Sequence, residues 1–269
     1  MNTVRYAGQV TKGPSYDLWK DCPVLELLED PNVGVYGFDD FSQCPSWAAP
    51  NATKADKYDL YGDTGVTIGP AGLQGGGLKI AGNDADNDEG SIQVGGGGLV
   101  ISDTPAVARK LWFEVSFKKA SVANNALAFF LGLMTPGSAA ADVLVNDTGA
   151  IAATKSYIGF RALHDNGEEL DVVFADSTGT VQEWKANIHT LEADAFVKLG
   201  FKYDPGNAKK IRFWLNGVEY AADAIDAAKI AEATFPDGDL LAPILATKVG
   251  AAAEVVATLR WWRWAQLAV

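Results

Sequence analysis

The chain reads VKLGFKYDPGNAKKIRFWLNGVEY at residues 197–220. Apolar and polar residues alternate with period two on both sides of the DPGN segment, which is the pattern of half-buried strands. Pro205 presets φ for a turn, and the glycine after it tolerates positive φ. Asn216 and Gly217 then supply the two positive-φ positions of a type I′ hairpin. The stretch therefore predicts consecutive antiparallel strands joined by tight turns.

The same alternation extends outward along the chain. Predicted strands lie between Gly-, Asp- and Asn-rich turns at residues 33–38, 78–81, 91–94, 111–118, 127–134, 156–163, 171–175, 181–185, 241–249 and 254–267. The strand at 127–134 reads LAFFLGLM, which is apolar on both faces and predicts a central position with both faces covered. Short helices are predicted at 23–29 and in the alanine-rich segment 222–233. Many strands with few helices predict an all-β antiparallel jelly-roll sandwich.

The first thirty residues differ from the rest, because prolines after Gly13 and Cys22 interrupt any regular element. We interpret residues 1–30 as an extended N-terminal arm and residues 31–269 as the sandwich. The arm either packs across its own sandwich or reaches a neighbouring subunit, and the sequence leaves both alternatives open. The aromatic residues of the arm are candidate partner contacts: Tyr6, Tyr16 and Trp19.

Charge and hydropathy exclude several classes of function. The chain has 34 acidic and 22 basic residues and a net charge of −12, which repels phosphate backbones and anionic lipid, so direct nucleic-acid binding is not expected. The N-terminus lacks the apolar core of a signal peptide, which predicts synthesis in the cytoplasm without export. The longest apolar stretch, residues 126–134, is far shorter than the roughly 20 residues of a membrane helix.

Only two cysteines are present, Cys22 and Cys44. They have no CxxC spacing and no Cys/His cluster around them, so no zinc site is predicted. They are either two free thiols or one bridge. Free thiols are the default for a chain without a secretory signal.

An ordered series of short segments runs through residues 33–267. The series is YGFDDF at 36–41, GGLKI at 76–80, DNDEGSIQ at 86–93, KLWFE at 110–114, AFFLGL at 128–133, YIGFR at 157–161, LGFKYD at 199–204, FWLNGV at 213–218 and RWWRWAQ at 260–266. It resembles the concanavalin A-like, laminin-G-type proteins of tailed-phage virions. The resemblance implies a jelly-roll fold and a structural role on the particle, in the head or in the tail. It carries over no catalytic residues, and the fold alone does not define a function.

Two non-enzymatic hypotheses follow from this resemblance. The first is a capsid decoration or cement protein on the outer surface of the virion, which binds the major capsid protein and copies of itself, as a trimer at a local threefold axis. The alternative is a carbohydrate-binding, lectin-like module of a phage tail fibre or spike that adheres to host glycans.

Three of the eight tryptophans crowd the last predicted strand. Alternation places Trp262 and Trp264 on one face and Trp261 on the other. At least one of these rings is expected in the core. Rings that point outward would stack on a sugar or anchor a protein interface, so Trp262 and Trp264 are partner-binding candidates.

Three aspartates, Asp84, Asp86 and Asp88, alternate like the first three ligands of a calcium loop. However, Glu89 stands where such a loop needs glycine, and Gly95 stands where it needs a bidentate acid. A solvated acidic turn is therefore the preferred interpretation, with calcium as the alternative. No other cofactor is predicted.

Glycosidases on this kind of sandwich need two carboxylates at alternating positions on one strand. The nearest match is Glu168, Glu169 and Asp171, which follow the turn sequence at 165–167. We expect them at a solvated hairpin corner. No nucleophile motif accompanies them, so the chain is predicted not to be an enzyme.

Overall fold

The structure is a computed structural model that describes residues 13–44, 46–48, 53–55, 57–96, 98–178, 182–251 and 254–268. The helices in this part are α1 (Tyr16–Trp19), α2 (Val24–Glu29) and α3 (Ala227–Ile230). The strands are β1 (Gly34–Asp39), β2 (Trp47–Ala48), β3 (Thr53–Ala55), β4 (Tyr58–Gly62), β5 (Thr67–Pro70), β6 (Leu78–Ala81), β7 (Glu89–Val94), β8 (Leu99–Val100), β9 (Leu111–Lys119), β10 (Leu127–Met134), β11 (Tyr157–Ala162), β12 (Glu169–Ala175), β13 (Gln182–Thr190), β14 (Val197–Tyr203), β15 (Lys209–Leu215), β16 (Val218–Asp226), β17 (Leu240–Val249) and β18 (Val256–Leu267). Among these residues, every helix is too short to cross a bilayer.

The described strands form two nine-stranded antiparallel sheets. Sheet I has the order β16-β15-β14-β9-β18-β6-β5-β2, with β1 also paired to β18. Sheet II has the order β13-β12-β11-β10-β17-β7-β4-β3, with β8 also paired to β17. Apolar side chains of both sheets meet in one core, which includes Phe113 of sheet I and Phe129 of sheet II. The all-β antiparallel sandwich predicted from the sequence is confirmed.

The local predictions at two strands are confirmed in detail. Asn216 and Gly217 have φ values of +50° and +85°, as the hairpin between β15 and β16 requires. The strand β10 lies between β11 and β17 and is buried along its whole length. Phe129 faces the central core, whereas Phe130 joins a second apolar cluster on the outer face of sheet II.

The helix predicted at residues 222–233 is wrong in most of its length. Strand β16 continues to Asp226, and Ile225 is fully buried opposite Ile211 of β15. Pairing and burial of Ile225 outweigh the helix propensity of the surrounding alanines. Only α3 is helical, and it begins where the Asp226 side chain accepts a hydrogen bond from the Lys229 amide at 3.0 Å. The helix predicted at 23–29 is confirmed as α2.

Residues 13–30 lie on the outer face of sheet I. Leu18, Trp19 and Leu27 form an apolar cluster with three side chains of that sheet, Trp112, Trp214 and Ala265. For these residues, the structure matches the alternative in which the arm packs across its own sandwich. Residues 1–12, with the candidate Tyr6, lie outside the described part of the chain.

Candidate functional site

The predicted aromatic candidates differ widely in exposure. Tyr16 on α1 is 64 % exposed, whereas Trp19 is buried with its ring 4.0 Å from the Arg263 guanidinium. Trp262 is fully buried in the core, and Trp264 packs edge-on against it at 5.8 Å while remaining partly exposed. Trp261 is also buried. The terminal tryptophans therefore do not form an exposed stacking surface.

The three aspartates of the candidate calcium loop lie between β6 and β7. Asp84 and Asp86 are exposed, and Asp88 is partly buried. Burial, together with the nearby carboxylates of Asp63 and Asp84, raises the pKa of Asp88. Within the described ranges, no three His, Cys, Asp or Glu side chains lie close enough together to hold a metal ion. The solvated acidic turn stays the preferred interpretation, and calcium binding stays the untested alternative.

Both cysteines are free thiols. Burial raises the pKa of Cys22 to about 12, so this thiol stays protonated at neutral pH. Cys44 is partly buried, and its pKa is also raised by burial. Neither thiol has the depressed pKa of a nucleophile.

A buried carboxylate fixes the N-terminal segment to the outer face of sheet I. Glu114 of β9 accepts hydrogen bonds from the Ser15 amide at 2.9 Å, from the Ser15 hydroxyl and from the Trp19 indole nitrogen at 2.8 Å. Burial raises the pKa of Glu114, although these donors oppose the change. Next to it, Asp21 pairs with Lys202 and Lys110. This face is closed by polar as well as apolar contacts.

The outer face of sheet II is closed by the segment 135–156, here called loop 135–156. Val143, Leu144 and Ile151 of this loop pack on Phe130 and on other apolar residues of β10, β11, β12 and β17. Beside this cluster, Lys248 of β17 and Glu89 of β7 form a fully buried ion pair at 3.2 Å.

The backbone of loop 135–156 contributes to the same ion pair. The Leu144 amide donates a hydrogen bond to the Glu89 carboxylate at 3.1 Å. The Leu144 carbonyl accepts one from the Lys248 ammonium at 2.7 Å. Burial raises the pKa of Glu89 to about 7, with the Lys248 charge opposing it. The loop is therefore anchored to the sheet by charge as well as by apolar packing.

The carboxylates nearest to a glycosidase pattern are placed differently from the prediction. Glu169 and Asp171 belong to β12 and share one face of it, so only Glu168 lies in the turn. Asp171 accepts a hydrogen bond from the Arg161 guanidinium at 3.3 Å, and the same guanidinium holds Glu183 at 2.9 Å. A carboxylate neutralised in this way is poorly suited to act as a nucleophile or a proton donor.

Open space occurs at the end of sheet II where β10, β11, β12 and β17 begin or end. A cavity of about 710 Å³ lies there, within the size range of ligand sites. Its lining is rich in hydroxyl groups, contributed by Thr135, Thr154, Ser156 and Ser177. Pro136, Gly238, Asp239 and Leu240 complete it, and we call this space the polar cavity.

The polar groups of this cavity are only partly satisfied. Thr135 and Ser156 bond each other across the gap between β10 and β11, at 3.1 Å from the Ser156 amide to the Thr135 hydroxyl. The Oδ2 atom of Asp239 has no hydrogen-bond partner within the described part of the chain. Leu240 is 57 % exposed beside it. A ligand that donates a hydrogen bond to Asp239 and has an apolar face fits this lining.

Sequence reasoning missed the polar cavity. Its residues come from three connections that are far apart in the chain: both ends of loop 135–156, the segment after β12 and the segment that leads into β17. Each contributes only ordinary loop or strand-end residues, so no local motif marks the site. The only local signal is an aspartate after Gly238 that directly precedes an apolar strand.

Comparison with known proteins shows the fold. No protein-family model matches the chain, and no curated protein matches it. Among solved structures, it is similar to an endo-1,3-β-glucanase from Streptomyces sioyaensis, with a TM-score of 0.56, 14 % identity and coverage of 87 % of this chain and 97 % of that one.

Two plant lectins are similar to the same degree. Lectin II from Ulex europaeus has a TM-score of 0.55 and 13 % identity, over 86 % of this chain and 98 % of that one. Peanut lectin has a TM-score of 0.53 and 13 % identity, over 84 % and 99 %. At such low identity the likeness shows the concanavalin A-like jelly roll alone. It does not bear on a place in a phage particle.

Proposed function

We propose that the protein is a non-enzymatic carbohydrate-binding module whose sugar site is the polar cavity at the end of sheet II. The observation that carries the proposal is a cavity whose lining combines four hydroxyl side chains with the Asp239 carboxylate. Sugar hydroxyls donate to carboxylates, and they both donate to and accept from Ser and Thr hydroxyls. Because Asp239 lines the cavity, its carboxylate is placed to accept a hydrogen bond from a sugar hydroxyl bound there.

The apolar part of the lining supports the same ligand class. Pro136 and exposed Leu240 offer a surface for the C–H face of a sugar ring. Glycosidases, in contrast, use two carboxylates on opposite sides of the scissile bond. Asp239 is the one carboxylate in the described lining of this cavity, so the lining favours binding without hydrolysis. The lectin-like fold is consistent with this choice but does not decide it.

A glycan array with the purified protein, followed by titration calorimetry, tests the proposal. The Asp239→Asn variant should lose at least about tenfold in affinity for the sugar that the array identifies, because a neutral amide replaces a charged acceptor. The matched control is Asp86→Asn, which removes an exposed carboxylate from the loop before β7. An equal loss of sugar affinity in Asp239→Asn and Asp86→Asn, or no sugar bound on the array, would reject the polar cavity as the site. Release of reducing sugar would show an enzyme instead.

The second candidate is the capsid decoration protein, located on the outside of a virion. One observation favours it: α2 and the neighbouring strand β1 expose four large apolar side chains. These are Leu25, Leu28, Val35 and Phe38, at 74 %, 62 %, 51 % and 44 %. Exposed apolar patches often mark protein interfaces, so this surface suits contact with a major capsid protein or with another copy of the chain.

Binding to virus particles tests the second candidate. Removal of residues 1–12 leaves the Ser15–Glu114 contacts in place and tests whether that segment reaches a neighbour. Exchange of Leu25 and Leu28 for aspartate tests the apolar surface. Loss of particle occupancy in either variant would favour decoration, whereas wild-type occupancy of both would argue against these contacts. Image reconstruction of particles would give the copy number.

A further inference from the structure

A second cavity lies beside the polar cavity, at the same end of the sandwich. It measures about 360 Å³, and apolar side chains of the loops and strand ends around it form much of its wall. These include Pro31, Val35, Val100, Val107 and Leu267. We call this space the apolar cavity. Val35 and Val107 are 51 % and 39 % exposed, so the space is open at its rim.

The two polar side chains in the wall of the apolar cavity form hydrogen bonds with backbone groups. The Gln266 amide accepts from the Val100 amide at 2.8 Å and donates to the Val100 carbonyl, as a neighbouring strand would. The Arg109 guanidinium donates to the carbonyls of Ala268 at 2.9 Å and Ala108 at 2.8 Å. Both polar groups bond backbone atoms, and the rest of the wall is largely apolar, so this lining favours an apolar occupant.

The two cavities meet at Gly238, which lines both of them. Its φ is +75°, and its amide donates to the Ile101 carbonyl at 2.9 Å. A Cβ atom at this position would meet nothing within 4 Å, so the space around Gly238 is open. The polar and apolar cavities are therefore adjacent at this residue, and we call the two together the end groove.

We infer that the end groove binds a glycoside with an apolar aglycone, the sugar in the polar cavity and the aglycone in the apolar cavity. This inference rests on the proposed function. Alkyl chains of glycolipids and rings of aryl glycosides share the required chemistry, namely an apolar group joined directly to a sugar. Lengthening the aglycone should add affinity in proportion to the apolar area that it buries.

The probes are the methyl, octyl and phenyl glycosides of glucose, galactose and mannose, titrated below their micellar concentrations. For the sugar that binds, the octyl glycoside should bind at least about tenfold more tightly than the methyl glycoside, a ratio that two buried methylene groups supply. A comparable gain for the phenyl glycoside indicates an aryl ligand, and a gain for octyl alone indicates an alkyl ligand. Octyl tetraethylene glycol ether has the same chain without a sugar and should bind weakly.

Variants of the rim localise the effect. Val35→Asp and Val107→Asp place a charge at the apolar cavity and should remove the octyl advantage while methyl glycoside binding remains. Val218→Asp is the matched control, because Val218 is 71 % exposed and begins β16, outside both cavities.

The outcomes separate this inference from the proposed function. Equal binding of methyl and octyl glycosides overturns the inference and leaves the sugar site standing. An octyl advantage that survives both rim variants also overturns it. Absence of binding by every glycoside rejects the proposed function itself. Equal binding of the octyl glycoside and the ether, insensitive to Asp239→Asn, rejects both.

Discussion

The outer faces of the two sheets are both covered, but by different means. Sheet I is covered by residues 13–30, which its buried Glu114 holds through hydrogen bonds from Ser15 and Trp19. Sheet II is covered by loop 135–156, which the buried Glu89–Lys248 ion pair and an apolar cluster hold. The difference is between a carboxylate satisfied by neutral donors and one satisfied by a cation. The end groove lies at the end of the sandwich, outside both of these covers.

The largest expected effect is on the cover of sheet II. Lys248→Met leaves Glu89 buried without its cation, which should lower the free energy of unfolding by about 3–5 kcal/mol. Urea denaturation measures this loss. The double variant Glu89→Gln/Lys248→Met removes both charges and should recover much of it. Lys185→Met, at a half-exposed lysine of β13, serves as the control with little change.

The cover of sheet I should respond less strongly. Glu114→Ala removes the acceptor of three hydrogen bonds, and we expect a loss of about 2–3 kcal/mol. The segment 13–30 should also open locally, so trypsin should cleave faster after Lys20, which is 57 % exposed. Glu26→Gln on the exposed side of α2 is the control. Unchanged cleavage in Glu114→Ala would show that apolar contacts alone hold this cover.

A pH-dependent effect concerns a buried lysine that has no carboxylate partner among the described residues. Lys119 at the end of β9 donates to the carbonyls of Leu127 and Gly167, both at 2.7 Å. Burial lowers its pKa from 10.5 to about 7, so the folded state binds fewer protons than the unfolded chain between these values. Stability should therefore rise with pH through this window. Urea denaturation at several pH values should show that the free energy of unfolding rises with pH in wild type but not in Lys119→Met. The same pH dependence in both proteins would contradict the lowered pKa of Lys119.

The Glu89 carboxylate predicts the opposite slope on the acid side. Burial raises its pKa from 4.5 to about 7, so the folded state binds more protons than the unfolded chain across that window. Its contribution to stability is full below pH 4.5 and is lost as pH rises toward 7. The free energy of unfolding of wild type, relative to that of Glu89→Gln, should therefore fall as pH rises from 4.5 to 7. A difference that is independent of pH would contradict this assignment.

Features that depend on short stretches of sequence could be predicted. The hairpin at Asn216 and Gly217 and the buried strand β10 follow from local turn geometry and from apolar residues on both faces. The segment 222–233 was misread because the burial of Ile225 against β15 depends on a neighbour, not on its own alanines. Likewise, alternation along β18 predicted that Trp262 and Trp264 share one face of the strand, but it did not show that this face points into the core.

The covers and the end groove could not be predicted, because they depend on contacts between distant segments. Nothing near Glu114 in the sequence indicates that Ser15 will satisfy it, 99 positions away. Glu169 and Asp171 have the spacing of catalytic carboxylates, and only the structure shows that Asp171 is paired with the Arg161 guanidinium. Asp239 likewise has only a weak local signal, its place between Gly238 and an apolar strand, and the rest of its cavity comes from distant segments.

The most direct test is a backbone amide NMR titration with the methyl and octyl glycosides. Binding in the end groove should shift the resonances of Thr135, Thr154, Ser177 and Asp239, and the octyl compound should add shifts at Val35 and Val107. Resonances on the covered faces, such as those near Glu114 and Arg161, should stay in place. Shifts confined to either covered face, with the end groove unperturbed, would contradict the account.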